Sequence, residues 1–431
     1  MMKELAAAVS EAQRHLGAAP GDARRRALEC LLGRLSAREE DILDANAADL
    51  RAADDAGLEG PLRNRLALSP SKLATLRDGV STLAAQRDAI GRPLRRTELD
   101  EGLVLTQVQS PLGVLLVIFE SRPEAVIQIG ALALRTGNGV LLKGGREAAH
   151  SNRVLVEVLR EALTEAGLPA NAVAGVEGRE AVAELLALPE SIDLVIPRGS
   201  GELVRTIQGS TRIPVLGHSE GICHLYLDRA ADPTMAAHLA VDGKCDYPSA
   251  CNATETLLVH QDFLPQLPLV GDALVSAGVV LRADPRARTA LPRAEAATDP
   301  DWRTEYGDLI LAVRVVSDLD DAISHIARFG SAHTDAIVTD DDEAAARFLR
   351  EVDSASVFHN ASTRFADGFR YGLGAEVGIS TSRIHARGPV GAEGLLTTRW
   401  LLRGQGNAAG DYGPNGRSYR HRRLELDENE P

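Results

Sequence analysis

Apolar residues in the first hundred positions recur at helical spacing. Leu5, Val9, Ala12 and Leu16 share one face, Leu28, Leu31, Leu32 and Leu35 repeat the stripe, and Leu73, Leu76, Val80 and Leu83 form a third. Ser69-Pro70 gives the third helix its start, with a hydroxyl to cap a free N–H and a proline where no N–H is needed. All three stripes are read as core packing. The period breaks between Arg96 and Gln109. There Asp100-Glu101-Gly102 separates short β-prone segments, which predicts a hairpin polar enough to project as an arm.

From Pro111 the pattern becomes strand, helix, strand, helix. Val114–Phe119 is a continuous apolar run, as expected of a strand covered on both faces. Pro123 opens a helix that ends near Arg135 and Gly137. Val140–Lys143, Ile192–Ile196 and Ile213–Leu216 read as strands, and Asn152–Ala166 as a helix. The second half repeats the theme. Strands are expected at Thr256–His260, Leu309–Val315, Ala336–Thr339 and Ser356–His359, and helices near Phe263–Ala277, Leu319–Phe329 and Asp342–Val352. Such alternation predicts an α/β fold of two doubly wound domains, each on a parallel sheet. Leu395 to Leu402 reads as an edge strand, and the Gly-, Asn- and Arg-rich residues beyond Gly404 as a flexible tail.

Composition narrows the function classes. The 431 residues exceed one ordinary core. A net charge of −14 argues against general nucleic-acid or anionic-membrane binding, so an anionic substrate would need a locally basic pocket. The longest apolar run, Val114 to Phe119, is far short of the about 20 residues of a membrane helix, and the acidic N-terminus does not read as a signal peptide. Cys30, Cys223, Cys245 and Cys251 form neither a disulfide framework nor zinc spacing, so reduced thiols in a cytoplasmic protein are expected, with no metal.

Candidate chemistry lies at strand ends. Cys251 sits in the small, polar loop Tyr247-Pro-Ser-Ala-Cys-Asn-Ala before the run Thr256–Val259. A cysteine there is near backbone N–H groups and outside a helix, as a nucleophile requires, although a buried structural cysteine is the commoner reading. Lys143, before Gly144-Gly145, suits a ribose or phosphate as well as it suits a surface lysine. Gly199-Ser200, before a short helix, offers N–H groups to an anion or is an ordinary cap. Arg122 would clamp a carboxylate or phosphate, or pair with Glu120 or Glu124. There is no G-x-G-x-x-G fingerprint and no G-x-S-x-G elbow.

Taken together, these segments resemble the aldehyde dehydrogenase superfamily, and within it the γ-glutamyl phosphate reductase family. The resemblance runs from about Leu5 to Leu402. It rests on Ser110–Val114, Phe119–Glu124, Arg135–Gly145, Pro197–Ser200, Ile213–Asp228, Tyr247–Thr256, Thr304–Leu309 and His333–Ile337. It implies that Cys251 is the catalytic cysteine, with Asn252 and Ser121 beside the oxyanion. It implies that Lys143, Gly199, Ser200, Gly217 and Glu305 hold NADPH or NADP in a fold that lacks the glycine fingerprint. Arg122 and Lys244 are our candidates for the charged ends of the substrate.

The implied layout is a cofactor domain of residues 1–95 and 111–227, a catalytic domain of 228–385, an oligomerisation arm of 96–110 and 386–403, and a flexible tail of 404–431. The implied reaction is NADPH-dependent reduction of L-glutamyl 5-phosphate to glutamate 5-semialdehyde through a Cys251 thioester. A homo-oligomer is expected, with glutamate 5-kinase a candidate partner. One departure carries weight. Where ordinary aldehyde dehydrogenases place a glutamate that activates water, this chain reads Val215-Leu216-Gly217-His218, which suits a thioester meant for reduction. The alternatives are a CoA-acylating or hydrolytic aldehyde dehydrogenase, and a catalytically silent scaffold for the kinase.

Overall fold

The computed structural model describes residues 1–58, 61–414 and 416–426. A four-stranded parallel sheet forms first, in the order Val173–Gly175, Gly139–Lys143, Val114–Phe119, Leu194–Arg198. The apolar run at 114–119 explains its two-sided burial, because successive side chains point to opposite faces. Leu115, Val117 and Phe119 enter one core with the helices Gly21–Ala37, Pro70–Ala85, Glu124–Arg135 and Ala149–Glu165. Val114, Leu116 and Ile118 enter another with Met2, Ala6 and Val9 of the first helix and Ile207 of the helix Gly201–Ser210.

The second sheet has seven parallel strands, in the order Glu295–Ala296, Val280–Ala283, Ile310–Val316, Thr254–His260, Cys223–Leu227, Thr334–Val338, Ser356–His359. It too is two-sided: Leu225, Leu227, Leu257 and Val259 face one core, Tyr226 and Leu258 the other. Two expectations change here. Cys223–Leu227 was assigned to the first domain, yet it pairs between Thr254–His260 and Thr334–Val338. Ile213–Leu216, expected as a strand, contributes only an isolated bridge from Val215 to Val195.

The expected hairpin is present as Pro93–Asp100 and Leu103–Pro111, turning at Gly102, whose φ of 71° a side chain would resist. Leu396–Arg403 joins its outer edge along the full strand. The tail corrects an expectation. Its described part is tied down, with Arg422–Arg423 paired to Thr97 and Glu98 and with Arg417 and Arg420 both on Asp100. Residues 415 and 427–431 of that tail lie outside the described residues. Among the described residues no helix is long and apolar enough to cross a membrane.

Candidate active site

Cys251 lies in the loop between the helix Pro233–Cys245 and the strand Thr254–His260, which is central in the seven-stranded sheet. Asp232 caps the helix, accepting from the Met235 N–H at 2.7 Å. Asp246 anchors the loop by accepting from Arg364 Nε at 3.0 Å and from Arg370 Nη2 at 2.7 Å. The Asn252 amide donates to the Ala366 carbonyl at 2.9 Å, and its Oδ1 is buried without a partner among the described residues. That amide is therefore committed to the fold and does not donate to an oxyanion as expected. Among the described residues, the Cys251 and Asn252 backbone N–H groups are engaged by no acceptor. They are the donors the loop has left to offer.

Gly221 sits against this loop so closely that a Cβ would lie 1.9 Å from the Cys251 carbonyl oxygen. Cys223 donates its thiol proton to that carbonyl at 3.3 Å. Burial pushes the Cys223 thiol well above its ordinary pKa, so of the two neighbouring cysteines it is the donor and Cys251, partly exposed, the one able to attack.

Two histidines complete the neighbourhood. A ring nitrogen of His218, one of His333 and the Cys251 sulfur all lie within 4.8 Å of one another. The rings meet edge to face at 4.9 Å. His218 Nδ1 is 2.8 Å from the Ile379 carbonyl, which can only accept, so Nδ1 carries the proton and Nε2 the lone pair. Burial lowers the His218 pKa, with Glu305 pulling the other way, and keeps the ring neutral. No local motif marks either histidine, because their approach to Cys251 brings together three segments far apart in the chain.

Lys244 is corrected by the structure. It is fully buried, and its Nζ donates to Glu255 Oε2 at 2.6 Å, with the Glu255 side chain equally buried. It has no exposed surface for a substrate. The Gly307 N–H also approaches Glu255 at 3.4 Å, so this pair ties the helix before Cys251 to the segment that carries Glu305.

A cleft of about 1620 Å³ opens at the carboxyl ends of the first sheet's strands, where ligands of open α/β sheets sit. Its lining includes Lys143, Gly144, Gly145, Arg146, Arg179 and Asn152, whose buried Oδ1 lacks a partner among the described residues. Cations and an orphaned amide oxygen beside flexible backbone, in a space of this size, fit a phosphate-bearing dinucleotide. Of the five expected cofactor residues, only Lys143 lines this cleft. Ser200 caps the adjoining helix by accepting from the Leu203 N–H at 3.3 Å, while the Ser200 N–H faces Glu120 at 3.4 Å. Gly199 is held between Glu120 and Leu203, and Gly217 is buried over Pro197. Ser121 is a further correction. Its N–H and its hydroxyl both donate to Glu147 Oε1 at 2.7 Å, so neither donor is left for an oxyanion.

Arg122 belongs to a cationic group that the sequence did not reveal. Burial lowers its pKa, and the charges of Arg198 and Arg65 lower it further. Among the described residues, Arg65 Nε is buried without a partner. Tyr247, at the entrance to the Cys251 loop, is held below its ordinary pKa by a Ser249 hydrogen bond and by Arg65 and Arg122. Arginines repelling one another at the lip of the cysteine loop make a local site for anions in a chain that is acidic overall.

This arrangement of two parallel sheets, a cofactor-sized cleft and a loop-borne cysteine is that of a nicotinamide-dependent aldehyde dehydrogenase, and the chain belongs to the aldehyde dehydrogenase family, which residues 2–275 match. Within it the chain falls among the γ-glutamyl phosphate reductases. It is 51% identical over 425 residues to γ-glutamyl phosphate reductase of Cyanothece sp., covering 98% of each chain. The structure of γ-glutamyl phosphate reductase from Thermotoga maritima superposes with a TM-score of 0.92 at 36% identity, covering 94% of this chain and 99% of that one. Δ1-pyrroline-5-carboxylate synthase 1 of Oryza sativa is 50% identical over 98% of this chain, which spans 59% of that longer protein.

Proposed function

We propose that this chain reduces L-glutamyl 5-phosphate to L-glutamate 5-semialdehyde and phosphate, the second step of proline biosynthesis from glutamate. The observation that carries the reading is Cys251, a free thiol with two unengaged N–H groups beside it, at the head of a central strand. The Cys251 thiolate attacks the acyl carbon, the Cys251 and Asn252 N–H groups stabilise the oxyanion, and phosphate departs with the electrons of the C–O bond. Arg65 and Arg122 take the negative ends of the substrate. A nicotinamide held in the cleft, NADPH in our reading, would supply the hydride that the thioester carbon accepts. Collapse then breaks the C–S bond, releases the aldehyde and returns the thiolate. Lys143, Arg146 and Asn152 hold the nucleotide. Val215 stands where a carboxylate base would activate water against the thioester.

We place the boundary between the two units before Cys223, because that strand belongs to the second sheet. The strand Leu396–Arg403, whose outer side pairs with no strand among the described residues and carries exposed Trp400 and Leu402, is the surface for a homo-oligomer. The lability of an acyl phosphate favours direct supply by a kinase.

The test is reduction of NADP by the semialdehyde with inorganic phosphate present. Wild type is expected to turn over only with phosphate, and Cys251→Ala not at all. Equal rates when CoA or water replaces phosphate would favour an acylating or hydrolytic enzyme. Failure to support growth of a proline auxotroph, with intact folding, would favour a silent scaffold.

A further inference from the structure

We propose that Cys251, His218 and His333 form an inhibitory site for a thiophilic divalent cation of the zinc class, closed over the nucleophile itself. Three features carry it. The ligand atoms already lie within 4.8 Å of one another. A tetrahedral ion with M–S of about 2.3 Å and M–N of about 2.0–2.1 Å needs them about 3.3–3.6 Å apart. The remaining contraction, at most about 1.2 Å for any pair (4.8 − 3.6), is within reach of small rotations of the three side chains.

The histidines are also set as ligands. His218 Nδ1 is fixed on the Ile379 carbonyl at 2.8 Å, which holds the tautomer and leaves Nε2 to bind. His333 is 0% exposed, its Nδ1 is 2.9 Å from the Thr334 hydroxyl, and its Nε2 is buried with no partner among the described residues. An unpartnered buried nitrogen beside a sulfur and a second imidazole is costly unless something visits it. The donor set, one sulfur and two nitrogens, selects a borderline-soft ion over magnesium or calcium.

Binding is a coordination step without oxidation. The Cys251 thiol loses its proton to solvent, its sulfur lone pair and one from each imidazole go to the ion, and water fills the fourth position. The ion occupies the nucleophile, so it excludes the acyl substrate and alkylating reagents alike. It does not block the nucleotide cleft, whose lining shares none of these residues. The inference concerns the thiol and its neighbours and does not depend on which acyl group the enzyme reduces.

The experiment uses Co2+ as the probe, titrated into the reduced full-length protein without substrate or nucleotide. We expect one Co2+ per chain, with a thiolate-to-metal charge-transfer band and the strong visible bands of tetrahedral geometry, both displaced by Zn2+. Cys251→Ser should abolish the charge-transfer band. His218→Ala and His333→Gln should each weaken binding by at least the about 10–100-fold that loss of an outer-shell partner costs. In wild type, Zn2+ should slow iodoacetamide modification of Cys251, a readout that needs neither variants nor turnover. Absence of the charge-transfer band in wild type, its persistence in Cys251→Ser, or unprotected alkylation at saturating Zn2+ would overturn the site. So would unchanged affinity in both histidine variants, provided their melting temperatures match wild type.

Discussion

Gly221→Ala probes how tightly the fold dictates the position of the nucleophile. The added Cβ would lie 1.9 Å from the Cys251 carbonyl oxygen and 2.6 Å from its Cα, against 3.4 Å for ordinary contact. The atoms that must yield are backbone, so no rotamer relieves the clash. The loop has to retreat by 3.4 − 1.9, or about 1.5 Å. Overpacking of this kind costs about 1–3 kcal/mol. A misplacement of about 1 Å at a reacting centre costs about 10²-fold in rate. We therefore expect kcat/KM to fall about 100-fold or more, while nucleotide affinity, set in the separate cleft, stays near wild type. The assay pairs steady-state reduction with nucleotide binding by fluorescence, and adds the alkylation rate of Cys251. Gly209→Ala is the control, because nothing lies within 4 Å of its Cβ. Activity of Gly221→Ala within about threefold of wild type would refute the idea that this contact positions Cys251.

Other outcomes follow from the same structure. Lys244→Met should cost about 3–5 kcal/mol by leaving the Glu255 carboxyl buried without its partner, and the double variant Lys244→Met/Glu255→Met should recover most of it in urea unfolding. Arg65→Ala should raise KM for the acyl phosphate or semialdehyde about 10–100-fold, the worth of a charged hydrogen bond, with kcat little changed. Asp301 is held at about 2; burial opposes this, but hydrogen bonds from Thr298, Tyr306 and Arg282 outweigh it. Its folded pKa is depressed, so its contribution of about 2 kcal/mol is present above the unfolded value near 3.8 and is lost as pH falls through about 2. The stability gap between wild type and Asp301→Asn should close over that window in acid unfolding.

Much of the fold was legible because its signals are local. Val114–Phe119 is apolar on both faces, and a strand sandwiched between helices demands that. Ser69-Pro70 announces a helix start, and the Ser69 hydroxyl does accept from Lys72 at 3.2 Å. Cys223–Leu227 was missed because His224 breaks its apolar run. The histidine is tolerated only through Asp335, which meets it at 2.7 Å from a strand more than a hundred residues away. Lys244 misled for the same reason, since a lysine near a cysteine looks available until its buried partner Glu255 is seen. Arg65 was invisible as a site residue, because nothing in its own segment shows that it converges on Arg122 and Tyr247.

The central claim is that Cys251 carries a thioester protected from water. It is tested most directly by mixing enzyme, semialdehyde and NADP without phosphate. The account predicts a burst of about one reduced nucleotide per site followed by a stall, an acyl group on the Cys251 peptide by mass spectrometry, and turnover restored by adding phosphate. Sustained turnover without phosphate, or an acyl group on any other residue, would contradict it.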